Sequence, residues 1–231
     1  MNFLAIDAST EACSVAIKYQ NKTYHEFELC PQSHSLVLLP MIDRLLKKAN
    51  CQLSDFSALI YGRGPGSFTG VRIGIGVAQG LAFSADLPTV GISTLQAMAQ
   101  QAFDEGADID VLVAIDARMS EVYSSHYVKN EKGFAQLKGA EIVTPPDDFQ
   151  QAMNISDRGE YFNAGTGWDA YSEQLATFRH NTVINVLYPS ALHMLALGEY
   201  AFKQGEAVPA EQAQPVYVRD TVSWKKLPGR E

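Results

Sequence analysis

A short apolar run, Phe3–Ala8, opens the chain and is broken only by Asp7. Ala12–Lys18 and Thr23–Leu29 follow, rich in Val, Ile, Tyr and Phe, with the polar stretch Tyr19–Lys22 between them and Asn21 at its centre. β-branched and aromatic runs around such a break predict a three-strand meander. The period then changes: Ser33–Ala49 repeats its apolar residues at helical spacing. Ala58–Tyr61 predicts a strand, Gly62–Gly70 a glycine-rich turn, Val71–Ala85 a helix, Thr89–Ile92 a strand and Thr94–Phe103 a helix. Glu105-Gly106-Ala107-Asp108 marks a boundary, which divides the chain into lobes 1–106 and 107–231. The tail is free to pack back on the first lobe.

The second lobe repeats the first. Ala5-Ile6-Asp7-Ala8 recurs as Ala114-Ile115-Asp116-Ala117, each after an apolar strand. Each is followed by a glutamate (Glu11, Glu121) and a further strand-like run, Ala12–Ile17 and Val122–Val128. Shared context around an identical tetrapeptide indicates a duplicated strand–turn–strand with an aspartate in its turn. Another strand is expected near Glu160–Ala164, then helices at Trp168–Thr177 and Ser190–Gln204, the latter stopped by Gly205.

Two predicted helices carry more apolar or small surface than one core needs. At about 100° per residue, Val37, Met41, Leu45, Leu38, Ala49, Ile42, Leu46 and Leu39 cover roughly 200° of Ser33–Ala49, against a stripe somewhat over 100° for a helix lying on one core. Pro40 should kink this helix. The next helix has a ridge of small residues, Gly70, Gly74, Ala78 and Ala82, at spacing four, although each glycine costs up to ~1 kcal/mol of helix propensity. Either another element of the same chain covers these faces or a partner does.

The 231 residues are 46% hydrophobic and 19% charged, an ordinary globular composition, so general disorder is excluded. The net charge of −8 argues against gripping nucleic acid by bulk electrostatics. No run approaches a membrane span, and the start lacks the basic flank and apolar length of a signal peptide. Cys13, Cys30 and Cys51 show no CxxC spacing. They are expected to be reduced thiols of a cytoplasmic protein, neither a disulfide frame nor a zinc site. His25, His34, His126, His180 and His193 include no i, i+4 pair, and no HExxH is present, which removes a metalloprotease signature. There is no GxSxG elbow. The tail has Trp224-Lys225-Lys226, an aromatic and basic patch that suits RNA, an acidic partner or plain solvent.

Candidate chemistry rests on the two aspartate turns and the glycine-rich turn. Asp7-Ala8-Ser9-Thr10 has a carboxylate to hold a divalent cation through water, backbone N–H groups to meet phosphate, and two hydroxyls. The second turn, Asp116-Ala117-Arg118, has a bulky residue where glycine would let phosphate reach the backbone. The plainer alternative is that each aspartate only satisfies turn N–H groups. Gly62-Arg63-Gly64-Pro65-Gly66-Ser67-Phe68-Thr69-Gly70 suits anion binding at a helix N-terminus, or a tight turn capped by Ser67 or Thr69. It is neither a Walker A loop nor GxGxxG.

Taken together, AIDAST, GRGPGSFTGVRIG, AQGLA, VGISTLQAMA, AIDARMSEVY, GTGW and the late PVYVR…WKKLPG resemble the TsaB (YeaZ) family over the whole chain. The resemblance implies an α/β fold: a duplicated actin-like, sugar-kinase-like ATPase fold of two ribonuclease-H-like lobes. It implies a non-catalytic partner that binds and activates TsaD, which makes N6-threonylcarbamoyladenosine next to the anticodon of tRNAs reading codons that start with A. The His-x-x-x-His metal pair of TsaD falls here on Thr94 and Met98, and a hydroxyl and a thioether are poor substitutes for two imidazoles around a hard ion. The adenosine-binding glycines are reduced to Gly165-Thr166-Gly167. A pseudo-enzyme is therefore expected, with a vestigial phosphate turn at Asp7, Ser9 and Thr10, no metal and no cofactor of its own; ATP and a divalent metal act in the partner subunits. Leu38, Met41, Ile42, Leu45, Gly70, Gly74 and Ala78 are the expected contact surface for TsaD, and for a homodimer when TsaD is absent. A TsaE subunit is expected to join the pair with ATP, tRNA to be touched only indirectly or weakly, and no membrane to be involved. An independent ATPase or kinase of the same superfamily, resting on Asp7, Ser9 and Thr10, and a peptidase are the alternatives.

Overall fold

The computed structural model describes residues 1–156, 159–178 and 185–219. The first lobe begins with strands β1 (Phe3–Asp7), β2 (Ala12–Tyr19) and β3 (Lys22–Leu29), an antiparallel meander as the alternation predicts. Helix α1 (His34–Ala49) leads to β4 (Ala58–Gly62), which pairs parallel to β1; α2 (Phe68–Ser84) leads to β5 (Thr89–Ile92), parallel to β4. The sheet order is β3-β2-β1-β4-β5. Helix α3 (Thr94–Asp104) ends the lobe, capped by the Ser93 hydroxyl, which accepts from the N–H groups of Leu95 and Gln96.

The second sheet repeats the opening of the first. Strands β6 (Val111–Asp116) and β7 (Val122–Lys129) are antiparallel, β8 (Ala135–Leu137) and β9 (Ile142–Thr144) both pair with β7, and after the short α4 (Phe149–Met153), β10 (Phe162–Ala164) pairs parallel to β6. Thus β6, β7, β8 and β10 stand where β1, β2, β3 and β4 stand in the first sheet, which makes the duplication structural. The predicted helix Trp168–Thr177 is not continuous: a single turn, α5 (Gly167–Ala170), is followed by turns and a 3-10 segment at Ala176–Phe178. Trp168, Leu175 and Phe178 are buried with Phe149, so side-chain anchoring decides this stretch rather than helix propensity.

The cut at residue 106 falls between the sheets, but the helical layers cross it. Leu95, Met98, Ala99 and Phe103 of α3 pack on Val111, Val113 and Ile115 of the second sheet. Conversely, α6 (Ala191–Lys203) packs Ala191, Met194, Leu197 and Ala201 on Phe3, Ala5, Ala16 and Ile60 of the first. Gly198 is required there, since a Cβ would lie 2.3 Å from Ile60 Cδ1. Residues 208–217 also return to the first lobe: Val208 bridges Thr89, Gln79 donates to the Ala213 carbonyl, and the Val216 N–H donates to Arg63. Arg72 lies 3.6 Å over the Phe68 ring and donates to the Tyr217 hydroxyl at 2.9 Å. The Trp224-Lys225-Lys226 patch lies outside the described residues. No helix among those described is long and apolar enough to cross a membrane.

Candidate functional site

Asp7 closes β1 and is fully buried, 1% exposed. The Ser9 N–H and hydroxyl donate to Asp7 Oδ1 at 3.0 and 2.9 Å, and the Thr94 hydroxyl donates to Ser9 Oγ at 2.9 Å. Burial pushes the Asp7 carboxyl up to about 6, against the pull of the Ser9 hydrogen bonds. The glycine-rich turn lies directly on this group. A Cβ at Gly62 would fall 1.8 Å from Asp7 Oδ2, at Gly66 2.1 Å from the Ser9 carbonyl and at Gly70 2.2 Å from the Ala8 carbonyl. The Ser67 N–H donates to that Ser9 carbonyl at 2.7 Å, while the Ser67 hydroxyl caps α2 by accepting from the Gly70 N–H. The glycines permit backbone-to-backbone contact within the chain, and the Ser67 N–H is taken up in it. Thr94 and Met98, at the positions of the TsaD histidine pair, are both fully buried.

The second turn is open. Asp116 is exposed; its Oδ1 accepts from the Arg118 N–H at 3.0 Å and the Tyr171 hydroxyl at 3.0 Å. Arg118, Met119 and Ser120 have φ of 58°, 56° and 59°, three successive side chains in the region that favours glycine. Arg219 braces them, donating to the Ala117 carbonyl and pairing with Glu121. Gly165, at φ 106°, sits so close to β6 that a Cβ would meet the Ala114 carbonyl at 2.1 Å. The Gly165-Thr166-Gly167 turn thus packs on the neighbouring strand β6, where the Thr166 hydroxyl also accepts from the Asp116 N–H at 3.3 Å.

The contact surface expected from the sequence needs correction. Leu38, Met41, Ile42, Leu45 and Ala78 are 0–2% exposed and form one core with β1, β2 and β4. Gly70 and Gly74 also face inward, against Ala8. The arc is wide because α1 is covered both by the sheet and by α2, so the chain itself buries these seven residues. What faces outward is a different set. On α1, Leu36 and Leu39 are 75% and 47% exposed; on α2, Phe83 is 79% exposed. Between them in sequence, Gly76 and Gly80 would each place a Cβ in open space. The helix runs unbroken through Pro40, which lies on the exposed side.

One further cluster joins residues that sequence spacing keeps apart. Cys13 of β2, Cys30 after β3 and His34 at the start of α1 are all buried, and one donor atom from each lies within 4.8 Å of the others. Burial, then Cys30, push the Cys13 thiol up, the opposite of an activated thiolate. A cysteine peptidase finds no support there, since neither Cys30 nor His34 exceeds 7% exposure.

Comparisons with known proteins agree with this geometry. The family model for TsaD, tRNA N6-adenosine threonylcarbamoyltransferase, matches residues 20–221. The chain is 46% identical over its whole length to the tRNA threonylcarbamoyladenosine biosynthesis protein TsaB of Escherichia coli K12, also matched over its whole length. It belongs to the TsaB family. The TsaB of Haemophilus influenzae is 43% identical, with 100% of this chain and 99% of the relative covered. The solved YeaZ structure from Pseudomonas aeruginosa is 42% identical with a TM-score of 0.83, covering 94% of this chain and 99% of that one. A second Pseudomonas aeruginosa structure, described as an uncharacterized protein with similarity to peptidase YeaZ, gives 43% and a TM-score of 0.85 over the same shares. The family match and the two paired sheets bear out the duplicated fold.

Proposed function

We propose that this chain serves tRNA threonylcarbamoyladenosine formation as a non-catalytic subunit that binds and activates a TsaD-type transferase through the outward face of α1 and α2. Membership of the TsaB family supports the pathway. The observation that carries the surface is the pair Gly76 and Gly80. Neither has a positive φ and neither is crowded, so nothing among the described residues calls for them. Each weakens an exposed helix by up to ~1 kcal/mol relative to alanine, a cost that makes sense where a second helix packs closely between Leu36, Leu39 and Phe83. The absence of catalysis is argued from the buried Asp7 turn and from Thr94 and Met98, side chains with little affinity for a hard ion.

In this reading ATP and a divalent metal act in the partner subunits, a TsaE-type subunit joins the pair when ATP is present, and tRNA contact is indirect. The assembly works in the cytoplasm, and the same helical face pairs two copies of the chain when the transferase is absent.

The double variant Leu39→Glu/Phe83→Glu tests the surface, since both positions are exposed and the fold should survive. Pull-down of the TsaD-type transferase is expected to fall by more than tenfold, about 1.4 kcal/mol or more. Undiminished pull-down by a folded double variant rejects the assignment. Calorimetry of the lone chain with magnesium and ATP is expected to show neither binding nor turnover; turnover would favour the ATPase reading.

A further inference from the structure

We propose that Cys13, Cys30 and His34 form a binding site for one thiophilic divalent ion of the zinc class. The fold builds the site from three elements. The Cys30 N–H donates to the Glu11 carbonyl at 3.0 Å, closing the end of β3 onto the start of β2 and bringing Cys30 beside Cys13. The chain then turns tightly, with Gln32 at φ 63° and the Ser33 N–H donating to the Cys30 carbonyl at 2.9 Å, which returns His34 over the two cysteines. His34 Nε2 lies 2.6 Å from the Thr10 carbonyl. A carbonyl only accepts, so Nε2 carries the hydrogen and the lone pair belongs to Nδ1. Metal-binding histidines are oriented by such a bond from the other ring nitrogen.

The dimensions and charges suit the ion. Three donor atoms no more than 4.8 Å apart leave a central point within about 2.8 Å of each, and small side-chain rotations bring this to the ~2.3 Å and ~2.0 Å of zinc–sulfur and zinc–nitrogen bonds. Two thiolates and a neutral imidazole around a divalent ion sum to zero, as a buried site requires. Two sulfur donors select a thiophilic ion over magnesium or calcium. The bound ion would tie the first residue of α1 and the Ser9–Thr10 turn to β2 and β3. The cluster is buried inside the first lobe and does not involve the outward face of α1 and α2.

Fully reduced protein is titrated with zinc(II) against a competing chelator, and separately with cobalt(II) followed by absorption. One equivalent of zinc and a thiolate-to-cobalt charge-transfer band are expected, unchanged in Cys51→Ser, whose thiol lies outside the cluster. In Cys30→Ala and His34→Gln the zinc Kd is expected to rise by more than about tenfold, the low end of what even outer-sphere partners contribute. Circular dichroism checks that each variant is folded. No thiolate band in the reduced parent chain overturns the proposal without reference to any variant. So does undiminished zinc affinity in a folded Cys30→Ala chain.

Discussion

Asp7 and Asp116 end equivalent strands of two copies of one motif, and each has a glycine-rich turn from the adjacent parallel strand beside it. In the first lobe that turn reaches past the aspartate, to the carbonyls of Ala8 and Ser9, and covers the carboxylate. In the second the glycines press on the Ala114 carbonyl and the Thr166 hydroxyl accepts from the Asp116 N–H at 3.3 Å, while the Asp116 carboxylate stays in solvent. Both copies need glycine for close contact, but the open copy also places Arg118, Met119 and Ser120 in left-handed backbone, braced by Arg219. Two halves with one topology thus present their aspartates in opposite ways, one covered by the chain and one open to solvent.

The largest expected effect tests the covered half. Gly70→Ala drives a Cβ into the Ala8 carbonyl and is expected to destabilise the chain by about 2–4 kcal/mol in denaturant unfolding. Gly76→Ala, on the opposite face of the same helix, should stabilise the lone chain by up to ~1 kcal/mol and weaken transferase pull-down. Equal effects of the two alanines would contradict the inward and outward assignment.

A second test uses pH. The folded Asp7 carboxyl, pushed up to about 6, is compared with an unfolded value near 4. Between these values the folded state binds more protons than the unfolded, so stability falls as pH rises. This contribution is fully present below about pH 4 and is lost through about pH 6. From pH 5 to 7.5 the expected loss is about 1–1.5 kcal/mol, and Asp7→Asn should flatten that segment of the stability profile. A profile unchanged by Asp7→Asn would mean that the carboxylate is not buried as described.

Smaller effects belong to the open half. Arg118→Gly is expected to raise stability by up to ~1 kcal/mol by relieving left-handed strain. Asp116→Asn should cost no more than about 1 kcal/mol, since an Asn Oδ1 still accepts from the Arg118 N–H and the Tyr171 hydroxyl and only the charge is lost at an exposed site. A larger loss would show that the second turn is held more tightly than its exposure indicates.

The meander, the four described helices of eleven or more residues and the repeated aspartate turn were legible. Alternation and capping located β1, β2, β3, α1, α2, α3 and α6, because those signals are local. The break after Ala170 was not legible, because distant aromatic packing decides it. The expected contact residues failed for another reason. Helix α2 carries two glycine registers, Gly70 with Gly74 and Gly76 with Gly80, and spacing alone ranks them equally. The cysteine–histidine cluster was hidden because its members come from three elements with no motif spacing.

By itself the sequence determined the duplication, the order of strands and helices in the first lobe, and the family, because each is written in contiguous residues; β8, β9 and α4 of the second lobe were not among the expected elements. Only the tertiary structure decided which side of each helix is covered, which aspartate is buried, and which lobe each of α3 and α6 serves. Those depend on what lies across the chain in space, and a one-dimensional period has a phase but no direction toward the core.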